Sequence, residues 1–548
     1  MLYSSGIPLA AHGEPTGKVR LQFQIKSPPE GVQLTRLDLL LSRLALQRSD
    51  GSWMESNDWF AFVSQQQNRL TSDSDGVPDG NYKAVRFNVG LPEETNRANP
   101  AQWPPNHPLH PELNGMHWGW LGGYVFAAIE GKVADQGFSY HLAGKEIIQT
   151  VELPVTFKGG GPVTILIEID PNVWLQGLDL KTTPNSTHSR PGDSLAPAIA
   201  EKFGSVFKVR GIHSDLFQQP ARSTPQSVPA GTTPYRLTIT ERFSSPALPA
   251  DNPLTKEGVA LGKRLFHDKI LSGKQTQSCA SCHMESRAFS HDVATSLGGE
   301  GQKGVRNAMP IFNLAWHKAF FWDGRAKTLR DQVLMPIQDK NEMNASLDLV
   351  LQRLNGDSSY PALFRKSFGS DQITSASLAK ALEQYLLSIV SQDSKFDRAV
   401  RKQAELTAEE RLGLQLFITE HDPERGLRGA DCFHCHGGTL FTNHGITNNG
   451  LKELSPRDRG KFKTPSLRNI ALTAPYMHDG RFTTLEEVIE HYSSGVQRNP
   501  DLDPNLAKHP ATGIQLNAEE KKALVSFLRT LTDDQLLHPT DLTVANQP

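Results

Sequence analysis

The chain has 548 residues, and its 57 Lys and Arg against 59 Asp and Glu leave a net charge of −2. At about 150 residues per domain, that length predicts three or four globular units, while near-neutral charge with no long single-sign run argues against a nucleic-acid or anionic-membrane partner. Hydrophobic residues make up 37%, enough for real cores, yet apolar runs such as Tyr385–Val390 are far too short to span a membrane. The first residues lack a basic head followed by an apolar segment, so no export signal is expected within this chain.

In chain order, the pattern starts with period two. Val19, Leu21, Phe23 and Ile25 alternate with Arg20, Gln22 and Gln24; Val163, Ile165, Ile167 and Ile169 repeat this, and Tyr124, Phe126 and Ala128 do so more weakly. Such alternation predicts half-buried strands. With turn clusters such as Asp73–Gly80 between them, residues 17–213 are expected to form an antiparallel β-sandwich. Residues 214–235 hold Pro220, Pro225, Pro229 and Pro234 among Ser, Thr, Gln and Gly, the composition of an extended linker.

Downstream the period becomes helical. Leu378, Ala381, Leu382, Tyr385, Leu386 and Ile389 fall on one face of a long helix. A weak repeat is also visible: Thr255-Lys-Glu then Leu265-Phe266, and Thr407-Ala-Glu-Glu then Leu416-Phe417, each lead into a cysteine pair. Two similar all-α lobes, 236–404 and 405–540, are expected.

The cysteines are Cys279, Cys282, Cys432 and Cys435, and each pair sits in a Cys-x-x-Cys-His string ending in His283 or His436. This is the attachment signature of c-type haem. Two thiols add across the two vinyl groups, and the following His becomes the proximal iron ligand. A zinc site would need the distant pairs to converge and would leave both histidines spare. Two covalent haem c groups are therefore expected, and such attachment takes place outside the cytoplasm, which predicts a periplasmic address.

The helical half resembles the bacterial di-haem cytochrome c peroxidase and MauG superfamily over residues 236–540. The strings that carry the resemblance are Asn252-Pro253-Leu254-Thr255, Leu261-Gly-Lys-Arg-Leu-Phe266, Phe321-Trp322-Asp323-Gly324-Arg325-Ala326, Pro336-Ile337-Gln338 and Leu472-Thr-Ala-Pro-Tyr-Met-His-Asp-Gly480. The resemblance implies that Trp322 lies between the haems and that Gln332, Pro336 and Glu342 line a distal peroxide pocket. It also implies a calcium ion held at Asn307, Thr473 and Pro475, whose oxygens suit a hard cation. Heterolysis of a peroxide O–O bond needs an acid/base group and an open iron position, which fits Glu342 as acid/base and Gln332 as its orienting partner. Residues 300–310 contain no His and only Met309 as a rival ligand, so the first iron is expected to be five-coordinate.

For the second iron the expected sixth ligand is Tyr492, where the resemblance implies Met in the peroxidases and Tyr in MauG. Thr484 and Glu487 form a capping box, and Leu485, Val488, Ile489 and Tyr492 share the buried stripe of the helix it starts. His491 points elsewhere on that reading, and Met477 and His478 are the rivals.

The β-half resembles the MbnP family over residues 18–175, through Val89-Gly90-Leu91-Pro92, Met116-His117-Trp118-Gly119-Trp120-Leu-Gly-Gly123-Tyr124-Val-Phe126 and Tyr140-His141-Leu142. That family is periplasmic and copper-associated, and its partner is a MauG-like enzyme of the MbnH type that oxidises a tryptophan of it to kynurenine. The family's usual cysteines are missing here, so no disulfide brace is expected. The resemblance implies Trp118 or Trp120 as substrate, in cis or from a neighbouring copy, through a high-valent state shared by both irons. Candidate copper ligands are His107, His110, Met116, His117 and His141, since imidazole with thioether suits Cu(I). The alternative is an ordinary peroxidase that clears hydrogen peroxide with electrons from a small cytochrome or cupredoxin. A third reading is a non-enzymatic copper module tethered to an electron-transfer module.

Overall fold

The structure is a computed structural model that describes residues 16–537, apart from 105–106, 119–122, 135, 179, 181–185, 190–191, 214–228, 241–242, 244, 247, 422–427, 457–459 and 510–512. Most of the expected linker thus lies outside the described residues. The chain forms two compact units, one of Met1–Ala98 with Met116–Ala221, the other of Asn99–Gly115 with Arg222–Pro548.

The first unit is a sandwich. Its strands are β1 (Thr16–Ile25), β2 (Val32–Arg48), β3 (Trp53–Ser64), β4 (Thr71–Pro78), β5 (Asn81–Val89), β6 (His117–Trp118), β7 (Gly123–Val133), β8 (Gln136–Ala143), β9 (Gln149–Lys158), β10 (Val163–Ile169), β11 (Ser186–Thr187) and β12 (Phe207–His213). One sheet runs β12-β10-β1-β4, and the other runs β11-β8-β7-β2-β5-β9 with β3 also on β2. The alternating residues do what period two requires: Val19, Leu21, Phe23, Ile165 and Ile167 are buried. Phe23 of one sheet meets Phe87 of the other edge-on, with centroids 6.4 Å apart, and Phe87 meets Phe207 at 5.3 Å.

Three details differ from the sequence expectation. The pairs β1–β10 and β8–β11 are parallel within otherwise antiparallel sheets, because strands far apart in sequence can enter a sheet by a long crossover. Of residues Asp73–Gly80, read as a turn cluster, all up to Pro78 belong to strand β4, Thr71–Pro78. It is polar because it pairs only with β1 at an edge, where Arg20 holds Asp73 through Nε at 2.6 Å and Nη2 at 2.9 Å. Finally, β7 is buried on both faces rather than one.

The second unit is helical. Helix Lys256–His267 packs on Ser375–Ser388, and Ala408–Ile418 packs on Ala518–Arg529. The sequence repeat is this crossing used twice. A Cβ at Gly262 would run into the Ala381 carbonyl, and one at Gly413 into the Ala523 carbonyl, so each pair closes to a distance only glycine permits. Thr255 and Thr407 cap the first helix of each pair by accepting from Gly258 and Glu410 N–H. Among the described residues no helix is long and apolar enough to cross a membrane.

Candidate haem-binding and peroxidatic site

Each Cys-x-x-Cys-His string follows the first helix of its pair and is wound into a short 3₁₀ turn, Cys279–Ser281 and Cys432–His434. All four thiols are free and half-buried, as attachment to a vinyl group requires. Both histidines are oriented alike. His283 Nδ1 lies 3.0 Å from the Phe289 carbonyl and His436 Nδ1 3.2 Å from the Phe441 carbonyl. A ring whose Nδ1–H is bound to a carbonyl presents a neutral Nε2, the tautomer a metal takes. Phe289 and Phe441 both adopt positive φ (59° and 53°), which turns their carbonyls toward the imidazoles. Burial also lowers both imidazole pKa values, His436 to about 4, which keeps the rings neutral. The residues present fit two covalent haems.

The second string opens onto a cavity. Cys432, Cys435 and His436 line it together with Trp322, Asn307, Thr473, Pro475 and Tyr492. Trp322 and the expected calcium residues therefore share a wall with the second haem-attachment site. Trp322 Nε1 donates to the Asn307 carbonyl at 2.9 Å, while the Asn307 side-chain amide donates to Val293 and Ala294 carbonyls at 3.3 and 3.2 Å. That leaves the Asn307 side-chain oxygen for a cation.

Tyr492 reaches the cavity by a route the helical stripe did not foresee. The α-helix ends at Glu490, and residues His491–Gly495 continue as one π-turn. The capping box of Thr484 and Glu487 is present. His491 is turned away, its Nε2 lying 3.1 Å from the Asn449 carbonyl. Burial pushes the Tyr492 phenol above its ordinary value, and Asn449, hydrogen-bonded to it, opposes the rise. The rivals line the same cavity, but the Met477 sulfur accepts from Asn449 at 3.6 Å and the His478 ring is stacked on Phe462 at 3.9 Å.

Gln332 ends the short helix Leu329–Gln332, and Pro336 lies in the first turn of the next, Met335–Gln338. Met343 N–H donates back to the Pro336 carbonyl at 3.1 Å, which folds Glu342 beside Pro336. Gln277 Nε2 and Gly299 N–H both donate to the Glu342 carbonyl at 2.7 Å, and Gln277 lies two residues before Cys279. The Glu342 carboxyl is close enough to raise the pKa of both Cys279 and Cys282. Its own pKa is raised by burial, with Asp339 adding to the rise and Arg325 opposing it. Met309 is half-buried one residue before Pro310 on the wall of the second cavity.

In the first unit, Met116 and His141 meet one buried cluster. Arg36 bonds Asp38 at 2.6 Å, Glu130 at 3.1 Å and the Met116 sulfur at 3.3 Å. His141 lies 2.8 Å from Glu130 through Nε2 and 3.0 Å from His188 through Nδ1. His117 instead packs its ring on Tyr124 at 4.6 Å. His107 and His110 belong to the other compact unit, where His107 is stacked on Trp103 at 4.2 Å and His110 Nε2 is 3.3 Å from the Ser245 carbonyl. Trp118 is in β6, but its side chain, like all of Trp120, lies outside the described residues. Sequence reasoning missed His188, Arg36, Lys463 and His317. None of the four carries a motif that the sequence alone would single out.

The family model for di-haem cytochrome c peroxidase matches residues 256–405, and that for MbnP matches residues 12–189. The methylamine utilization protein MauG of Methylorubrum extorquens is 37% identical over 297 residues, 52% of this chain and 80% of that protein. The cytochrome c551 peroxidase of Nitrosomonas europaea is 34% identical over 303 residues, 52% of this chain and 83% of that one. A solved MauG-like protein associated with microbial copper homeostasis is 34% identical, with a TM-score of 0.49 over 56% of this chain and 97% of its own.

Proposed function

The chain belongs to the di-haem cytochrome c peroxidase and MauG family and carries an MbnP domain ahead of its peroxidase half, and from this premise we propose that it uses hydrogen peroxide to oxidise a tryptophan of an MbnP domain, Trp118 or Trp120, to kynurenine. The peroxidase class and two haem c groups follow from the family itself. The observation that carries the finer reading is the single cavity in which Tyr492 and Trp322 accompany Cys432, Cys435 and His436.

His283 and His436 would hold the two irons, Tyr492 would complete the second, and the bound haems would supply the redox chemistry. Glu342 is the proton carrier at the first site. A raised pKa keeps it protonated to higher pH than an ordinary glutamic acid, so it can hand a proton to the departing peroxide oxygen. Gln332 orients the peroxide, and Pro336 forms a wall that offers no ligand atom. Trp322 relays oxidising equivalents, its N–H kept on the Asn307 carbonyl. Calcium at Asn307, Thr473 and Pro475 would fix that carbonyl and hence the indole. Opening the indole 2,3 bond takes up two oxygen atoms from two peroxides and releases two waters; hydrolysis then removes formate. The Pro-rich stretch 214–235 raises the local concentration of substrate domain around enzyme.

In the same reading the site of action is the periplasm, and copper binds through His141 and His188, whose facing nitrogens are 3.0 Å apart. Arg36 on the Met116 sulfur argues for leaving the thioether out. Calorimetric titration with Cu(I) should lose its stoichiometric step in His188→Ala. A second reading keeps the chain an ordinary peroxidase fed by a small cytochrome or cupredoxin, and Met477 in the second cavity favours it. Peroxide treatment of the loaded protein separates them: modified tryptophan supports the first, and turnover that needs a reduced donor and leaves tryptophan intact supports the second.

A further inference from the structure

Lys463 is only 4% exposed. It lies in the two-residue strand Phe462–Lys463, paired with Ile446–Thr447, and its N–H donates to the Trp322 carbonyl at 2.6 Å. Neighbouring strand residues face opposite ways. Phe462 accordingly stacks on His478, while Lys463 Nζ reaches His317 Nδ1 at 3.2 Å. The His317 ring is 5.6 Å from that of His444, so three basic side chains gather in one place. Among the described residues no carboxylate is in ion-pair reach of Lys463, and burial alone lowers its ammonium to about 8. The other nitrogen of His317, Nε2, is buried with no hydrogen-bond partner.

An ammonium removed from water without a counter-charge is costly, and a site that keeps one is built to receive an anion. Lys463 Nζ, with one of its three N–H groups on His317 Nδ1, has donors to spare, and His317 Nε2 has no partner. Lys463 also lines the cavity of Cys432, Cys435 and His436. A haem c fixed to two cysteines by its vinyl groups brings two propionate carboxylates with it. We propose that Lys463, backed by His317, is the seat for a propionate carboxylate of the haem carried on Cys432 and Cys435. Lys463 is then a positioning and charge-compensating residue: its backbone is fastened to Trp322, and its ammonium cancels an anion that would otherwise favour the oxidised iron. This rests on haem attachment at Cys432 and Cys435, which the haem count of the unsubstituted protein tests by itself.

The experiment is spectroelectrochemical titration of the full, haem-loaded chain, with the haems resolved by their spectra and counted as pyridine haemochromes. Lys463→Met should lower the midpoint potential of the second haem and leave the first unmoved, and Lys463→Arg should restore most of the difference. Loss of the second haem in Lys463→Met with retention in Lys463→Arg would support the same conclusion. An unchanged second midpoint in fully loaded Lys463→Met would overturn it. So would an equal fall in both variants, a shift confined to the first haem, or loss of the second haem from both.

Discussion

The indole nitrogen of Trp322 donates to the main-chain carbonyl of Asn307 at 2.9 Å, on the wall of the cavity that Cys432, Cys435 and His436 also line. One residue expected to bridge the haems is thus held by one expected to bind calcium. Removing calcium with a chelator should loosen Asn307 and change the second haem's spectrum as well as slowing peroxide turnover. An unaltered spectrum and rate in calcium-depleted protein would detach the ion from the relay.

Glu342→Gln should slow peroxide turnover by roughly a hundred-fold to ten-thousand-fold, the usual reach of one acid/base group, with both haems retained. Burial raises this carboxyl, so its protonated form persists above the ordinary glutamate range, and the wild-type rate should fall as pH rises through the raised value. The stability effect has the same sign. The contribution is full below the ordinary value of 4.5 and is lost as pH rises through the folded one, so Glu342→Gln should flatten that decline in thermal melts.

Tyr492→Phe should abolish the six-coordinate signature of the second haem, because Met477 and His478 are already engaged with Asn449 and Phe462. Tyr492→Met should raise that haem's potential and favour turnover with a reduced cytochrome donor. A six-coordinate spectrum unchanged in Tyr492→Phe would give the place to one of the rivals.

The first unit should be sensitive to acid in two steps. Burial holds the His141 imidazole down to about 4, so its contribution is present above 6.5 and lost as pH falls through about 4. Burial by itself would raise the Glu130 carboxyl, but Arg36 and the bond from His141 hold it down to about 2, so its contribution is lost below 4.5. Each step is worth on the order of 3 kcal/mol. Unfolding followed by fluorescence against pH should show the upper step vanish in His141→Gln.

Legibility followed the range of the interaction. Attachment of haem is a local affair of five residues, so both Cys-x-x-Cys-His strings announce themselves, and period two in Val19–Ile25 or Val163–Ile169 reports a single buried face. Strand β4 did not, because an edge strand stabilised by Arg20 and Asp73 needs no apolar alternation. The π-turn at His491–Gly495 was equally hidden, since it depends on packing around Tyr492 rather than on the helix's own residues. The Arg36–Glu130–His141–His188 cluster joins residues from 36 to 188 and is assembled only by strand register, which a linear reading does not contain.

The central claim is that peroxide's oxidising equivalents end on a tryptophan of the MbnP domain, and the most direct measurement is the mass of the peptides containing Trp118 and Trp120 after the intact, haem-loaded protein has met peroxide. The account predicts the mass of kynurenine at one of these residues, and no change in a Trp322→Phe variant that keeps both haems. Unmodified peptides after many equivalents of peroxide, with turnover sustained only by a reduced cytochrome, would contradict it.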